Sequence, residues 1–430
     1  MGQHARKSGH SASRSLLVLD AAYTLEMVRE RGLETSIACR DLDGFFDHVY
    51  SVHPFATMLT SDDWGERYGP ARRYPVNARN TVIEGCVGRF AWLRGLFPVN
   101  FVIGQIGLFV MLLRLIRKEN VAVIRVGDPL YLGLFGLGLK WLSGRPMLIR
   151  VNGNNDKVRE DTGRPLYPRF FRSEAIEKRI EHFVFPRADL VAAPNQDNVD
   201  FALRNGARPG WTTIFRYGNL LSPEHRRPPE ERTPDADLFA RMVVTPRRYM
   251  LTIGRLQAVK FPDDTVRVLA GAVVAGHDVK LVIAGDGDMR GDLIALAQSL
   301  GVADRLVLPG NMNQHELSQL NAHCALVLSP LTGRALSESA LGGAALVAYD
   351  LDWQKDLVRT DETGILVPFR DVDALTEAAV ALLRNPQRAK ALGVGARTRA
   401  LAMLDPDILD RHERDTYTRL LAHERPAPGV

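Results

Sequence analysis

Along this chain, short continuous apolar runs alternate with longer stretches in which apolar residues recur every three or four positions. A run that is apolar at successive positions fits a strand buried on both faces, whereas the longer spacing fits one face of a helix. Runs of the first kind lie at 15–19, 121–126, 146–151, 188–194, 212–216, 249–253, 279–284, 305–308, 325–328, 345–348 and 365–367. Residues 35–39 and a short run ending at His53 read as two further strands. Helical spacing fills the gaps: 24–31, closed by Gly32, then 130–142, 169–187, 262–275, 289–300, 371–385, 386–404 and 406–422. Strands and helices in regular alternation predict an α/β protein with parallel sheets.

One segment breaks the alternation. Residues 224–237 are rich in Pro, Glu and Arg, which is the composition of a linker. A linker over 223–247 divides an amino-terminal domain, 15–222, from a carboxy-terminal domain, 248–405, and leaves 406–430 as a terminal helix. A length of 430 residues, 46% of them hydrophobic, provides for two such domains and their cores. The polar stretch 1–14 has no apolar centre, so it reads as a disordered lead rather than a secretory signal. Cys39, Cys86 and Cys324 lie far apart; without metal-type spacing they predict a reducing compartment and no disulfide framework. The net charge of +5 is spread along the chain and no basic stripe is interleaved with aromatics, so no nucleic-acid partner is expected.

Residues 96–113 form an apolar stretch just long enough to cross a bilayer, interrupted by Pro98, Asn100, Gly104, Gln105 and Gly107. Within an α/β pattern it reads first as a partly buried helix of the amino domain. The second reading is a surface that touches membrane, because Arg89, Arg94, Arg114, Arg117 and Lys118 flank it. A true span is the third.

Candidate chemistry concentrates between 250 and 350. After the run 249–253 come Gly254, Arg255 and, a few residues on, Lys260. Gly254 lets backbone approach a ligand, and the two cations suit a diphosphate, Arg as a fork and Lys as a point charge. After 325–328 come Thr332 and Gly333, then a helix start at Arg334, Ala335 and Leu336, with Glu338 further in. The N–H groups of a helix start favour an anion, and a carboxylate beside a phosphate site suits a ribose diol. Two strand ends would thus share a nucleoside-diphosphate site. The chain has no Gly-X-X-X-X-Gly-Lys-Ser/Thr loop, which excludes a P-loop ATPase. No Gly-X-Gly-X-X-Gly follows the first strand, which argues against a nicotinamide enzyme.

These residues also carry a resemblance. Gly254-Arg255-Leu256 with Lys260, Ile283-Ala-Gly-Asp-Gly287, Leu306-Val-Leu-Pro-Gly310, Glu316-Leu317 and Ser337-Glu338-Ser-Ala resemble the donor half of family-4 retaining glycosyltransferases of the GT-B fold, over about 249–385. The resemblance implies two Rossmann-like domains facing each other across a cleft, with the terminal helix crossing back to the first. It implies that Arg255 and Lys260 hold the donor diphosphate and Glu338 the ribose, with Gly285 and Asp286 near the nucleotide and Arg334 helping the phosphates. Candidate acceptor or sugar contacts are Asn152, Asn154, His53 and Asn219, with a hydrogen-bonded structural histidine as the alternative for His53 and an ordinary Asn-Gly turn as the alternative for 152–156. Two positions depart from the family pattern: Pro330 stands where a Glu usually precedes the one matched by Glu338, and Asn152 where a His is common.

The expected function is transfer of a sugar from a nucleoside-diphosphate sugar to a glycan or lipid-linked acceptor, with retention and without metal or other cofactor. The expected place is the cytoplasm, at the inner face of the membrane if the amino domain touches lipid. The alternative is a catalytically degenerate GT-B protein acting as a binding or scaffold subunit.

Overall fold

A computed structural model describes residues 14–60, 67–216 and 221–426. Its first parallel core comprises β1 (Ser15–Leu19), β2 (His48–His53), β3 (Arg72–Pro75), β4 (Asn80–Glu84), β5 (Val121–Val126), β6 (Met147–Arg150), β7 (Leu190–Ala193) and β8 (Thr212–Ile214). The second comprises β9 (Tyr249–Ile253), β10 (Lys280–Ala284), β11 (Leu306–Gly310), β12 (Leu326–Ser329), β13 (Leu346–Tyr349) and β14 (Gly364–Val367). Strands such as β1, β5, β9 and β12 are buried along their whole length, because helices cover both faces of a parallel sheet.

The first sheet runs β3-β4-β2-β1-β5-β6-β7-β8, and only its edge strand β3 pairs antiparallel. The second runs β11-β10-β9-β12-β13-β14. In the second sheet the chain builds outward from β9 to β11, then restarts at β12 on the other side of β9. Such a reversal opens a crevice at the carboxyl ends of the two central strands, where ligands of doubly wound sheets bind. In the first sheet the reversal falls between β1 and β5.

The helix Pro406–Leu421 docks on the first sheet. Tyr417 is fully buried, its ring 5.1 Å from Phe46 and 6.1 Å from Phe215. Buried Glu413 accepts a hydrogen bond from Arg150 at 3.2 Å. The carboxy-terminal end of the chain therefore completes the amino-terminal core.

The strands β3 and β4 and the helix Asn155–Thr162 have no counterpart in the sequence reading, and three further elements differ from it. Residues 35–39 are not a strand: Thr35–Ala38 is a one-turn helix running into a 3-10 turn. Its β-favouring residues yield to context, since a strand there would need a sheet edge and Ile37 instead packs into a cluster with Leu25, Val28 and Leu33. The helix expected over 169–187 begins only at Glu174, where Ser173 accepts from the N–H of Ala175 and caps it. The Pro-rich segment after 222 is no loose tether. Leu238, Phe239, Met242 and Val244 join the second core, and buried Arg232 donates to the carbonyls of Ser318, Glu224 and Arg227. The polar lead 1–13 and Asn219 lie outside the described residues.

Candidate active site

The loops after β9 and β12 meet at the crevice of the second sheet. Thr252 ties the strands together by donating to the Leu328 carbonyl at 3.0 Å. The loop after β9 is held by its neighbour: the N–H of Gly254 donates to Ala284, and that of Leu256 to Asp286. This close approach demands glycine at Gly285, which sits at φ +147, and whose Cβ would lie 1.9 Å from the Gly254 carbonyl oxygen. Gly254 itself has open space where a Cβ would stand, so its value is access rather than conformation. Asp286 accepts from the N–H of Gly287 and shapes the turn.

Arg255 is exposed, and Lys260 lies half-buried in a 3-10 turn. Among the described residues neither forms an ion pair with Asp263 or Asp264, which pair with Arg267 instead. The next residue, Phe261, adopts a left-handed conformation at φ +51, allowing Pro262 to begin a helix. Phe261 is fixed there by the ring of Phe369 and by Arg370. The first domain covers the turn: the helix Asn155–Thr162 packs beside Ala258–Lys260. Burial, then the neighbouring Arg255 cation, push the Lys260 ammonium below the usual lysine range. Among the described residues neither cation has a carboxylate in ion-pair contact, though the Asp352 carboxyl offsets part of the Lys260 shift, and two neighbouring cations gain on binding a polyanion.

On the β12 side, Gly333 stands at φ +64 and opens the helix Arg334–Leu341. The first-turn amides of Arg334, Ala335 and Leu336 have no carbonyl a turn earlier in the helix; Leu336 bends its N–H to Gly333. Thr332 is anchored by the Ser329 hydroxyl. Glu338 is buried, its Oε1 3.4 Å from Arg334 Nε. Pro330 is held through its carbonyl by the buried amide of Gln354, which also bonds Ser329 and the Tyr349 carbonyl.

The first domain brings its own strand ends to the cleft. His53 ends β2 and is buried; burial pushes its imidazole down to about 4, so it is neutral near pH 7. Its Nδ1 accepts weakly from the N–H of Phe55 at 3.4 Å, and its Nε2 has no partner among the described residues. Asn152 donates to the Gly127 carbonyl and lines a small pocket of about 70 Å³ with Asp20, Arg40, Arg125 and Arg150. Burial alone would raise the Asp20 carboxyl, but Arg40 at 2.9 Å and the N–H of Ala22 hold it below the usual range. Asn154 is taken up by structure. Its side chain accepts from the N–H groups of Asp156 and Lys157, capping a helix, and donates to Asp197.

Sequence reasoning missed the contact across the cleft. Asp352, at φ +58, meets Asp197 of the first domain, which is itself bound by Lys157 at 2.8 Å. Burial, then Asp197, raise the Asp352 carboxyl to about 6. Arg216 and Asp356 approach to 3.6 Å at the same seam. Only folding brings such pairs together; the sequence signal at 350–354 is limited to its turn-like polarity.

Comparison with known proteins agrees with this fold. Residues 238–399 match the family model "Glycosyl transferases group 1". The chain is 29% identical over 337 residues to the alpha-D-kanosaminyltransferase of Streptomyces kanamyceticus, covering 74% of this chain and 80% of that one. It is 30% identical over 211 residues to the GDP-mannose-dependent alpha-(1-6)-phosphatidylinositol monomannoside mannosyltransferase of Mycolicibacterium smegmatis, covering 44% of this chain and 55% of that one. Its fold matches sucrose-phosphate synthase from Thermosynechococcus elongatus with a TM-score of 0.71 at 16% identity, over 95% of this chain and 99% of that one. Two doubly wound domains and a crevice lined from both give this chain the GT-B fold, and its residues 238–399 are similar to the glycosyl transferases group 1.

Proposed function

We propose that the chain transfers a sugar from a nucleoside-diphosphate sugar to a glycan or lipid-linked acceptor, with retention at the anomeric carbon and without a metal. The observation that carries this is the meeting of Arg255, Lys260 and the Arg334 helix start at one strand crevice. In such a site the diphosphate lies against the cations and the helix start, and Glu338 exchanges Arg334 for the ribose hydroxyls. The acceptor oxygen approaches the anomeric carbon on the face the diphosphate leaves. The bond from that carbon to the phosphate oxygen breaks, the new glycosidic bond forms, and the acceptor proton passes to the departing phosphate. The protein's task is then to stabilise charge on the leaving group, commonly the largest catalytic contribution. Arg255 and Lys260 supply the positive charge that a divalent cation brings elsewhere. The lipid-linked option is supported by the mycolicibacterial relative, whose name specifies a phosphatidylinositol monomannoside acceptor.

The test is turnover of a panel of UDP-, GDP- and ADP-sugars, with and without chelator, and NMR of the product anomer. Product with the donor's configuration, formed equally in chelator, supports the reading. An inverted product or strict metal dependence refutes it. A second reading, a nucleotide-binding scaffold without turnover, is favoured by Pro330 and Asn152 at two positions where the family usually has Glu and His. A nucleotide that stabilises the protein, with no sugar released from any donor, would select it.

A further inference from the structure

The helix Phe97–Lys118 is built inside out. Its uncharged polar residues face the protein. Asn100 accepts from the N–H groups of Arg89 and Phe90 at 2.7 and 2.9 Å and donates to the Phe90 carbonyl. Gln105 donates to the Pro54 carbonyl at 3.1 Å and accepts from the Tyr131 hydroxyl at 2.8 Å. Its outer stripe is apolar: Val99, Val102, Ile106 and Val110 are 51%, 53%, 57% and 38% exposed. At its amino end Trp92 is 78% exposed. Only 22% of the most apolar window is buried. Yet Leu108, Leu112, Leu115 and Ile116 belong to the core of the first domain, so the helix lies along the sheet and does not leave it to cross a bilayer.

The exposed apolar surface continues onto the next helix, Tyr131–Ser143, packed beside it through Phe109 and Phe135. There Leu134, Trp141 and Leu142 are exposed, and Phe183 of a third helix meets the Trp141 ring. A soluble monomer rarely leaves so continuous an apolar face to water. Charge indicates the occupant. From Gly85 to Lys118 the chain carries five cations, Arg89, Arg94, Arg114, Arg117 and Lys118, and no acidic residue. At the helix's carboxyl end a groove of about 460 Å³ sets Arg73, Arg114 and Lys118 around Ile106, Val110 and Met111; Glu119 also lines it, 3.5 Å from Lys118. Cations around an apolar floor match a phosphate headgroup above acyl chains, and Trp92 is the residue type enriched at the membrane–water boundary.

We propose that this face seats the first domain on an anionic lipid membrane, with the helix lying in the plane of the interface. The proposal stands independently of turnover, since a degenerate protein would present the same face. For an active enzyme it would bring the cleft, into which the amino end of this helix leads, close to a membrane-held acceptor.

The test is co-sedimentation of the full chain with phosphatidylcholine vesicles and with mixed phosphatidylcholine–phosphatidylglycerol vesicles, at low and high salt. The wild type should pellet with the mixed vesicles and be released by salt. Val102→Glu/Ile106→Glu should abolish binding. Arg114→Glu/Arg117→Glu should weaken it about 30-fold or more, from two reversed charges near the surface. All four positions are outward-facing or flanking, so unchanged melting temperature and nucleotide binding serve as the folding control. No sedimentation with either vesicle, or equal sedimentation of the variants, overturns the proposal. So does a concentration-dependent dimer that Val102→Glu/Ile106→Glu dissolves, which would assign the face to a second copy of the chain.

Discussion

Lys260 offers the sharpest test of the donor site, because removing it should move stability and affinity in opposite directions. Without ligand the ammonium is disfavoured by burial beneath the helix Asn155–Thr162 and by Arg255. A lysine whose ammonium is held below its usual range destabilises the fold at every pH where the unfolded chain keeps it charged. Lys260→Ala removes that penalty, so the ligand-free melting temperature should stay level or rise. With a diphosphate bound, the same substitution removes a charge-assisted contact, with a loss of about 2 kcal/mol. That loss weakens binding about 30-fold. At a nucleotide concentration about 100 times the wild-type dissociation constant, ligand stabilisation is about 2.7 kcal/mol. For the variant at the same concentration it falls to about 0.9 kcal/mol. A thermal-shift titration with UDP, GDP and ADP reads both quantities in one experiment. The reasoning fails if the variant melts lower without ligand yet keeps the full nucleotide shift, for then Lys260 is a packing residue.

Other consequences can be measured separately. Gly285→Ala places a Cβ 1.9 Å from the Gly254 oxygen at φ +147; urea denaturation should show a loss of about 3 kcal/mol or more, together with nucleotide binding. Asp352, raised to about 6, takes up its proton in the fold before the unfolded chain does, so its contribution to stability grows as pH falls through 6 and is lost above it. Asp352→Asn, well suited to the left-handed backbone there, should raise the melting temperature at pH 7 to 8 and flatten its rise between pH 6 and 4. Tyr417→Ala empties a fully buried site between Phe46 and Phe215 and should lower stability by about 3–5 kcal/mol, read as earlier melting of the first domain.

The second domain was legible because each of its strands is a continuous apolar run and each following loop carries Gly or charge. Gly254, Arg255, Lys260 and Gly333 could be placed at strand ends from pattern alone, and the structure brings those ends together at the reversal between β9 and β12. What escaped the sequence depends on distant partners. Nothing near 197 announces its meeting with Asp352. The Pro-rich segment reads as a linker because composition reports flexibility, while its docking depends on Arg232 finding the Ser318 carbonyl. Asn154 and His53 look equally suited to a ligand in sequence. The structure spends the first on a helix cap and leaves the second with an unengaged Nε2 among the described residues.

The return of the terminal helix bears on how the cleft can move. The backbone passes between the two domains twice, once after β8 and again between Met403 and Pro406. A body hung from one tether can twist as well as swing. Two tethers define a line, and rotation about that line is the softest motion left. Opening should therefore resemble a book on its spine, with the Arg216–Asp356 pair near the spine and the Asp197–Asp352 contact on the facing pages. On such a hinge each page should return to the same register on closing, which would set Lys260 against the helix Asn155–Thr162 each time.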